Sequence, residues 1–434
     1  MVDLKILLLT VSDQQHHPLR KYIDLHCNSD FKSWESGFRA VCPDICTYDY
    51  YAGFVSSGPF GMENRIRELV QRNNIQLLIV PNLYYELSAP FLNELRGLGC
   101  RSLVIFFDDS MRFEETNRFY LSAFDYYLTH ESVASKALYE PYGIDVDFFP
   151  NFPSYSFYKK IVQRLDKKYA GAADDVVFVG AKIADRDVFV NYLKDNGVNI
   201  SVYGRGWDKG MLSSEDMVAA YSSSKISLNF VKAIGGAGQL QLKGRLFEII
   251  MAGGFVLSEY SDELAGYFDI GRDIDTFHSP SELLDKTRFY IKNGDLRAQM
   301  AARAKDKVEK RCSFESNWLR YLTDIKSGTV KPFYPNLNYK VPAVSINSFL
   351  NWNFSFIYGR LMLGQYGLAY DQYRFCQRQL KGLACNSWAG MLLLKVAIKR
   401  CVASITRPIL SRNQICRIKQ RYLRFRGLAG FAKL

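Results

Sequence analysis

The chain has 434 residues, 48% of them hydrophobic and 15% aromatic, which is globular in composition and too long for one core; two domains of roughly 150 to 180 residues plus extra elements are expected. No run of about 18 uncharged apolar residues occurs, which excludes a membrane-spanning helix, and the apolar run Ile6 to Val11 lacks the basic lead-in of a secretory signal. Net charge is +12, yet the segment after Val330 carries 17 Lys/Arg against one acid, Asp371, leaving the first 330 residues at −4; a near-neutral body with a basic tail is not the pattern of a nucleic-acid binder.

Short apolar runs alternate with helix-patterned segments from the start, the signature of βαβ units. Strands are expected at Leu4 to Val11, Gln76 to Pro81, Ser102 to Phe107 and Tyr126 to Thr129, with helices at Glu63 to Asn73 and Ser88 to Leu98. A Pro- and aromatic-rich connector at Phe148 to Pro153 and a polar stretch to Asp175 follow. The second series reads strand Val176 to Gly180, helix Arg186 to Asn196, strand Asn199 to Gly204, helix Ser214 to Ser223, strand Ile226 to Phe230, helix Gly244 to Ala252 and strand Phe255 to Ser258, closed by helices Ser281 to Lys292 and Asp295 to Asp324. The expected fold class is α/β, two doubly wound Rossmann-like domains facing a cleft (1–155 and 156–325), with a basic, mainly helical extension at 331–434. Nine cysteines form no Cys-x-x-Cys pair, and Cys42 with Cys46 has no neighbouring histidine, so reduced thiols in a cytosolic protein are expected and no zinc site.

Residues 239 to 259 carry the most chemistry. Lys243 and Arg245 stand at the mouth of an apolar helix and Glu248 about one turn in. A helix N-terminus presents unpaired NH groups and positive potential to a diphosphate, two cations add to that field, and a carboxylate accepts hydrogen bonds from both ribose hydroxyls. The alternative is an amphipathic helix with surface charges. Gly180 and Gly204 sit at strand-to-helix turns, where a glycine serves either close phosphate approach or the turn itself. Arg205 beside Gly204 is a candidate for base or phosphate contact.

The succession Phe178-Val179-Gly180, Arg186, Val202-Tyr203-Gly204 with Trp207, Lys243-Gly244-Arg245-Leu246-Phe247-Glu248, Ala252-Gly253-Gly254 and Glu282-Leu283 resembles the donor domain of bacterial GT-B glycosyltransferases, specifically the group 1 transferases similar to spore-maturation proteins. Phe106-Phe107-Asp108-Asp109 and Ala123-Phe124-Asp125 extend the likeness into the first half. The resemblance implies a nucleotide-diphosphate sugar as donor, held by Gly180, Arg186, Gly204, Arg205, Gln241, Lys243, Arg245 and Glu248, with no metal cofactor. In the paired-glutamate motif of many such enzymes Glu248 matches the second acid, while the first position is Leu240; Gln239 or Gln241 is placed to replace it in part.

Inversion at the sugar needs a base for the acceptor hydroxyl. Asp108 and Asp109 at a first-domain strand end, His16 and His17 after the first strand, and His130 after another are the candidates, each with an alternative as a turn cap or solvated side chain. The expected activity is transfer to a glycan or lipid-linked acceptor in envelope polysaccharide or lipopolysaccharide assembly. The alternatives are a nucleotide-sugar epimerase on the same fold and a non-catalytic sugar- or nucleotide-binding protein. The segments Phe349 to Tyr373 and Trp388 to Arg426 mix apolar residues with cations and suit an anionic membrane surface, consistent with a peripheral protein on the inner face of the cytoplasmic membrane; Phe349 to Tyr373 has packing on the first domain as its alternative.

Overall fold

In the computed structural model, which describes residues 1–382 other than 13, 15, 24, 26–30, 82, 132, 166–173, 233–239, 241 and 334–340, apolar runs and amphipathic helices alternate through two sheets. The first series is β1 (Ile6–Thr10), α1 (Phe31–Val41), β2 (Cys46–Asp49), α2 (Tyr50–Asn73), β3 (Leu77–Pro81), α3 (Ala89–Gly97), β4 (Arg101–Phe106), the single turn α4 (Asp109–Arg112), β5 (Tyr126–Thr129) and β6 (Asp147–Phe148). Its strands lie in the order β2-β1-β3-β4-β5-β6, every pair parallel.

The second series is α5 (Tyr155–Leu165), β7 (Val176–Val179), α6 (Arg186–Asp195), β8 (Ile200–Tyr203), α7 (Ser214–Ser223), β9 (Ile226–Asn229), α8 (Gly244–Met251), β10 (Val256–Glu259), the short α9 (Asp262–Ala265), β11 (Asp275–Phe277), α10 (Pro280–Lys292) and α11 (Gly294–Arg311). Its order β11-β10-β9-β7-β8 is again parallel and reverses direction between β7 and β9. Crevices beyond the carboxyl ends of strands at such a reversal are where open α/β sheets bind ligands. Two doubly wound domains are therefore present, as the alternation predicts.

Three local expectations change. Element α2 begins at Tyr50 rather than Glu63, because Asp49 accepts from the Ala52 amide at 2.9 Å and caps it, and it is two helical segments that meet at a kink where Gly58 (φ 73°, ψ 175°) leaves helical geometry just ahead of Pro59. The helix expected over Asp295 to Asp324 is two: α11 ends at Arg311, and α12 (Phe314–Ser327) restarts with Ser313 accepting from the Ser316 amide at 3.2 Å. Helix α12 then leaves the second sheet. Its Phe314 and Trp318 rings lie 5.0 and 4.6 Å from Phe38 of α1, inside the first domain's core.

The third change concerns the extension. Helices α13 (Ala343–Met362) and α14 (Tyr366–Gly382) pack on the first domain, burying Phe349, Leu350, Phe356, Phe375 and Leu380 in its core. Apolar residues of Phe349 to Tyr373 expected at a membrane surface are thus consumed by packing. The Trp388 to Arg426 run lies outside the described residues. Among the described residues no helix is long and apolar enough to cross a membrane.

The two domains are tied at their connectors. The Phe314 amide donates to Pro153 O at 3.1 Å, and the Glu315 carboxylate accepts from the Tyr155 and Ser156 amides at 3.0 and 2.9 Å and from Ser154 Oγ at 2.8 Å. A carboxylate at the start of α5 satisfies otherwise unpaired NH groups and the helix dipole together.

Candidate active site

At the β7 end, the Gly180 amide donates to Tyr203 O at 2.7 Å, and Trp207 Nε1 donates to Gly180 O at 2.8 Å. Gly204 has φ 126°, and a Cβ there would lie 2.3 Å from Gly180 O, so the two turns interlock and only glycine fits. The Gly180 amide expected near phosphate is spent on this lock. What faces Gly180 instead is Arg245, whose guanidinium would be 2.5 Å from a Cβ on Gly180. Arg205 is exposed, and its carbonyl accepts from the Lys182 amide at 2.8 Å.

Arg186, the first residue of α6, is only 2% exposed and donates from Nη1 to Ala181 O at 3.0 Å. Its guanidinium lies 5.6 Å from the Phe178 ring centroid and that of Arg245 lies 5.2 Å from the same ring. Burial, then the neighbouring Arg245 charge, lowers the Arg186 pKa to about 10, which leaves it cationic at neutral pH. Arg186 Nε and Arg245 Nη1 are buried without a hydrogen-bond partner. Two unsatisfied guanidinium N–H groups at a sheet reversal have the donor chemistry a diphosphate would satisfy. Beside them, Lys232 pairs with Asp185 at 2.6 Å and with Glu259 at 3.0 Å.

Helix α8 buries Leu246, Phe247, Ile249 and Ile250, which leaves Arg245 and Glu248, three residues apart, on its other side. Lys243 is the N-cap residue. A Cβ on Gly244 would lie 2.9 Å from Asn151 O, so the inter-domain connector closes directly over the start of this helix. Burial foremost, with help from Arg186 and Arg245, pushes the Lys243 ammonium down to about 8, against the pull of Asp108 and Glu131 from the first domain.

Between the domains lies a cleft of about 330 Å³ whose walls include Trp34, Phe107 and Asp108 on one side, Asn151 and Tyr158 at the connector, and Glu248 on the other. The fold thus brings Asp108 and Glu248 to one cavity. Asp108 is exposed and holds a left-handed backbone (φ 52°, ψ 47°), a conformation Asp tolerates better than most residues.

The other base candidates are elsewhere. Asp109 is 0% exposed and accepts from Asn117 Nδ2 at 2.6 Å and from the Thr129 and Tyr139 hydroxyls; it braces the strand ends and does not reach the cleft. His130 is 6% exposed, bonded through Nδ1 to Phe149 O and packed edge-on against Trp34 and Phe107, behind the aromatic wall. Burial lowers its pKa to about 4. His17 Nδ1 accepts from the Leu19 amide at 3.2 Å, capping a 3-10 turn at Pro18–Lys21, and feels the Arg360 charge of α13. His16 is exposed in the preceding turn, and neither histidine lines the cleft. Gln241 and Gln239 lie outside the described residues; Leu240 is 38% exposed.

Sequence reasoning missed Glu131 and Glu259, acids at the carboxyl ends of β5 and β10, and Asn151. The strand-end argument that selected Asp108 applies equally to both acids. A family model described as glycosyl transferase-like matches residues 186–323, from the start of α6 into α12. This stretch is a glycosyl transferase-like domain. The two parallel, doubly wound sheets are the layout of a GT-B fold. Among curated proteins no sequence matches. Solved structures similar to the chain include Anabaena Alr3699/HepE in complex with UDP and glucose (12% identity, TM-score 0.49, covering 75% of this chain and 100% of that one). Others are a glycosyltransferase from Rickettsia africae ESF-5 (11%, 0.46, 74% and 97%) and sucrose-phosphate synthase from Thermosynechococcus elongatus (9%, 0.48, 75% and 98%).

Proposed function

We propose that this glycosyltransferase moves a sugar from a nucleotide-diphosphate sugar to a hydroxyl of a glycan or lipid-linked acceptor in envelope polysaccharide or lipopolysaccharide assembly, without a metal, at the inner face of the cytoplasmic membrane. The observation that carries this reading is that Glu248 and Asp108 line one cleft, with Arg245 on the same helix as Glu248 and sharing the Phe178 ring with Arg186. In this reading Glu248 accepts from the two ribose hydroxyls. Arg245, Arg186, Lys243 and the α8 N-terminus meet the charge that grows on the departing diphosphate, the function a divalent ion would otherwise serve. The acceptor oxygen attacks the anomeric carbon as the bond to the diphosphate breaks, and Asp108 takes the acceptor proton. Support for a membrane-side acceptor is the last 52 residues, with eleven Lys/Arg and no acid.

Incubating the protein with uridine, guanosine, cytidine and thymidine diphosphate sugars, with and without EDTA, tests the activity. Release of nucleoside diphosphate is expected for one base and is expected to survive chelation; a rate that collapses in EDTA and returns with manganese overturns metal independence. Conversion of the donor to an epimer without nucleotide release would favour an epimerase. Glu248→Ala should weaken diphosphate binding about tenfold to a hundredfold, the loss of two charge-assisted bonds, and unchanged affinity by calorimetry would remove Glu248 from the site.

A further inference from the structure

The first-domain wall of the cleft is aromatic. Phe31 and Trp34, three residues apart at the start of α1, and Phe107, just past β4, line it, with ring centroids 6.1 Å apart from Phe31 to Trp34 and 6.2 Å from Trp34 to Phe107. Behind this wall the rings are braced: His130 lies 4.7 Å from Phe107, and Phe314 and Trp318 of α12 lie 5.5 and 6.3 Å from Trp34. The charged groups on the cavity are both acids, Asp108 and Glu248; among the described residues that line it none is Lys or Arg. Strand register adds a third acid to this side, because β4 and β5 pair Phe106 with Thr129 and Glu131 therefore stands level with Asp108. We propose that Phe31, Trp34 and Phe107 form the acceptor subsite, that its occupant is an uncharged sugar ring stacked on the aromatic wall, and that Asp108 meets a hydroxyl on the edge of that ring.

This rests on the donor-site reading above and names the class of acceptor that site serves. A pyranose carries its hydroxyls around the edge and C–H bonds on its faces. The negative π faces of aromatic rings attract those C–H bonds, and a wall already held by its neighbours loses little side-chain entropy in doing so. Phe107 and Asp108 are consecutive, so a sugar stacked on the first brings an edge hydroxyl to the second; Ser33 and Asn151, also on the cavity, supply uncharged partners for other hydroxyls. Charge selects in the same direction. A phosphate or carboxylate on the acceptor would enter a cavity lined by two carboxylates, while the nearby cations Arg186 and Arg245 are taken by the donor diphosphate. The acceptor hydroxyl therefore belongs to a neutral sugar, and a lipid-linked acceptor fits where a sugar, not its phosphate, is the nucleophile.

The test uses the full chain and whichever nucleotide sugar the wild type turns over, with methyl glycosides of glucose, galactose, mannose and N-acetylglucosamine and with undecaprenyl phosphate as acceptor probes. At least one glycoside is expected to speed nucleoside diphosphate release about tenfold or more over the rate with water alone, and undecaprenyl phosphate to leave it within about twofold. Phe107→Ala and Phe31→Ala should each raise the KM for that glycoside about tenfold, while Phe107→Tyr keeps it within about twofold. Calorimetry should find nucleoside diphosphate affinity within about twofold of wild type in all three variants. A KM that moves only together with diphosphate affinity means a folding role and overturns the subsite, as does acceleration by undecaprenyl phosphate alone or by no probe. If the wild type turns over none of the nucleotide sugars, the donor reading falls and this inference with it. If one is turned over and Glu248→Ala weakens binding of its diphosphate while both alanine variants keep the wild-type KM, this inference alone falls.

Discussion

Asp108 and Asp109 are neighbours in sequence with opposite environments. Asp108 is exposed at the cleft, whereas Asp109 is sealed among three donors and burial pushes its carboxyl up to about 6. The raised value has a defined sign: the folded state holds the Asp109 proton more tightly than the unfolded chain, so this contribution to stability is full below the ordinary carboxylate range and is lost as pH rises through about 6. Asp109→Ala strands the Thr129, Tyr139 and Asn117 donors and should cost on the order of 2 to 4 kcal/mol of stability in urea unfolding. Asp108→Asn, which keeps the left-handed backbone, should leave the urea midpoint almost unchanged while lowering turnover about 10²- to 10⁴-fold. Near-normal turnover in Asp108→Asn would exclude it as the base.

Among elements, α14 shows how a segment readable as a surface helix becomes part of a core. Glu63 of α2 is 1% exposed and accepts from the Ser88 amide and hydroxyl at 3.2 and 2.7 Å, while Arg378 of α14 pairs with it and donates to Ser88 Oγ at 2.8 Å. Ser88 also caps α3, and the Ala89 amide donates to Gln379 Oε1 at 2.9 Å, so one buried polar cluster joins α2, α3 and α14. Burial raises the Glu63 pKa, opposed by Arg378. Arg378→Ala should destabilise the protein by on the order of 2 to 4 kcal/mol, discounted from a fully buried pair because Arg378 is 32% exposed. Adding Glu63→Gln should return part of that loss, and no recovery in the double variant would mean the cluster acts by packing rather than charge.

For the whole molecule, positive charge is concentrated beyond the described domains, on a chain whose first 330 residues are net negative. With Phe349 to Tyr373 folded into the first domain, any membrane contact by the extension falls to the later run. A chain stopped near residue 385 keeps α13 and α14 and should retain nucleoside diphosphate binding while losing salt-sensitive sedimentation with phosphatidylglycerol vesicles, each basic residue near the surface contributing about 1 kcal/mol. Equal vesicle binding by the full and shortened chains at low salt would rule the anchor out.

The sequence by itself determined what depends on neighbours along the chain. Strands β3 to β5 and β7 to β10 are apolar runs bounded by turns, and Tyr126–Thr129 and Ser214–Ser223 match expectation residue for residue; Arg245 and Glu248 are three positions apart on one helix, with Lys243 at its start. Local signals failed where they conflicted, as in α2, where the break at Gly58-Pro59 hid the helical segment that precedes it, and at Ser313, where a short cap interrupts a helix-forming stretch. Only the tertiary structure decided which of two adjacent aspartates meets the cleft, that Glu131 stands level with Asp108, that Arg186 and Arg245 share Phe178, and that α12 to α14 belong to the first core. Those facts follow from strand register and the packing of segments far apart in sequence, and periodicity along the chain carries no information about either.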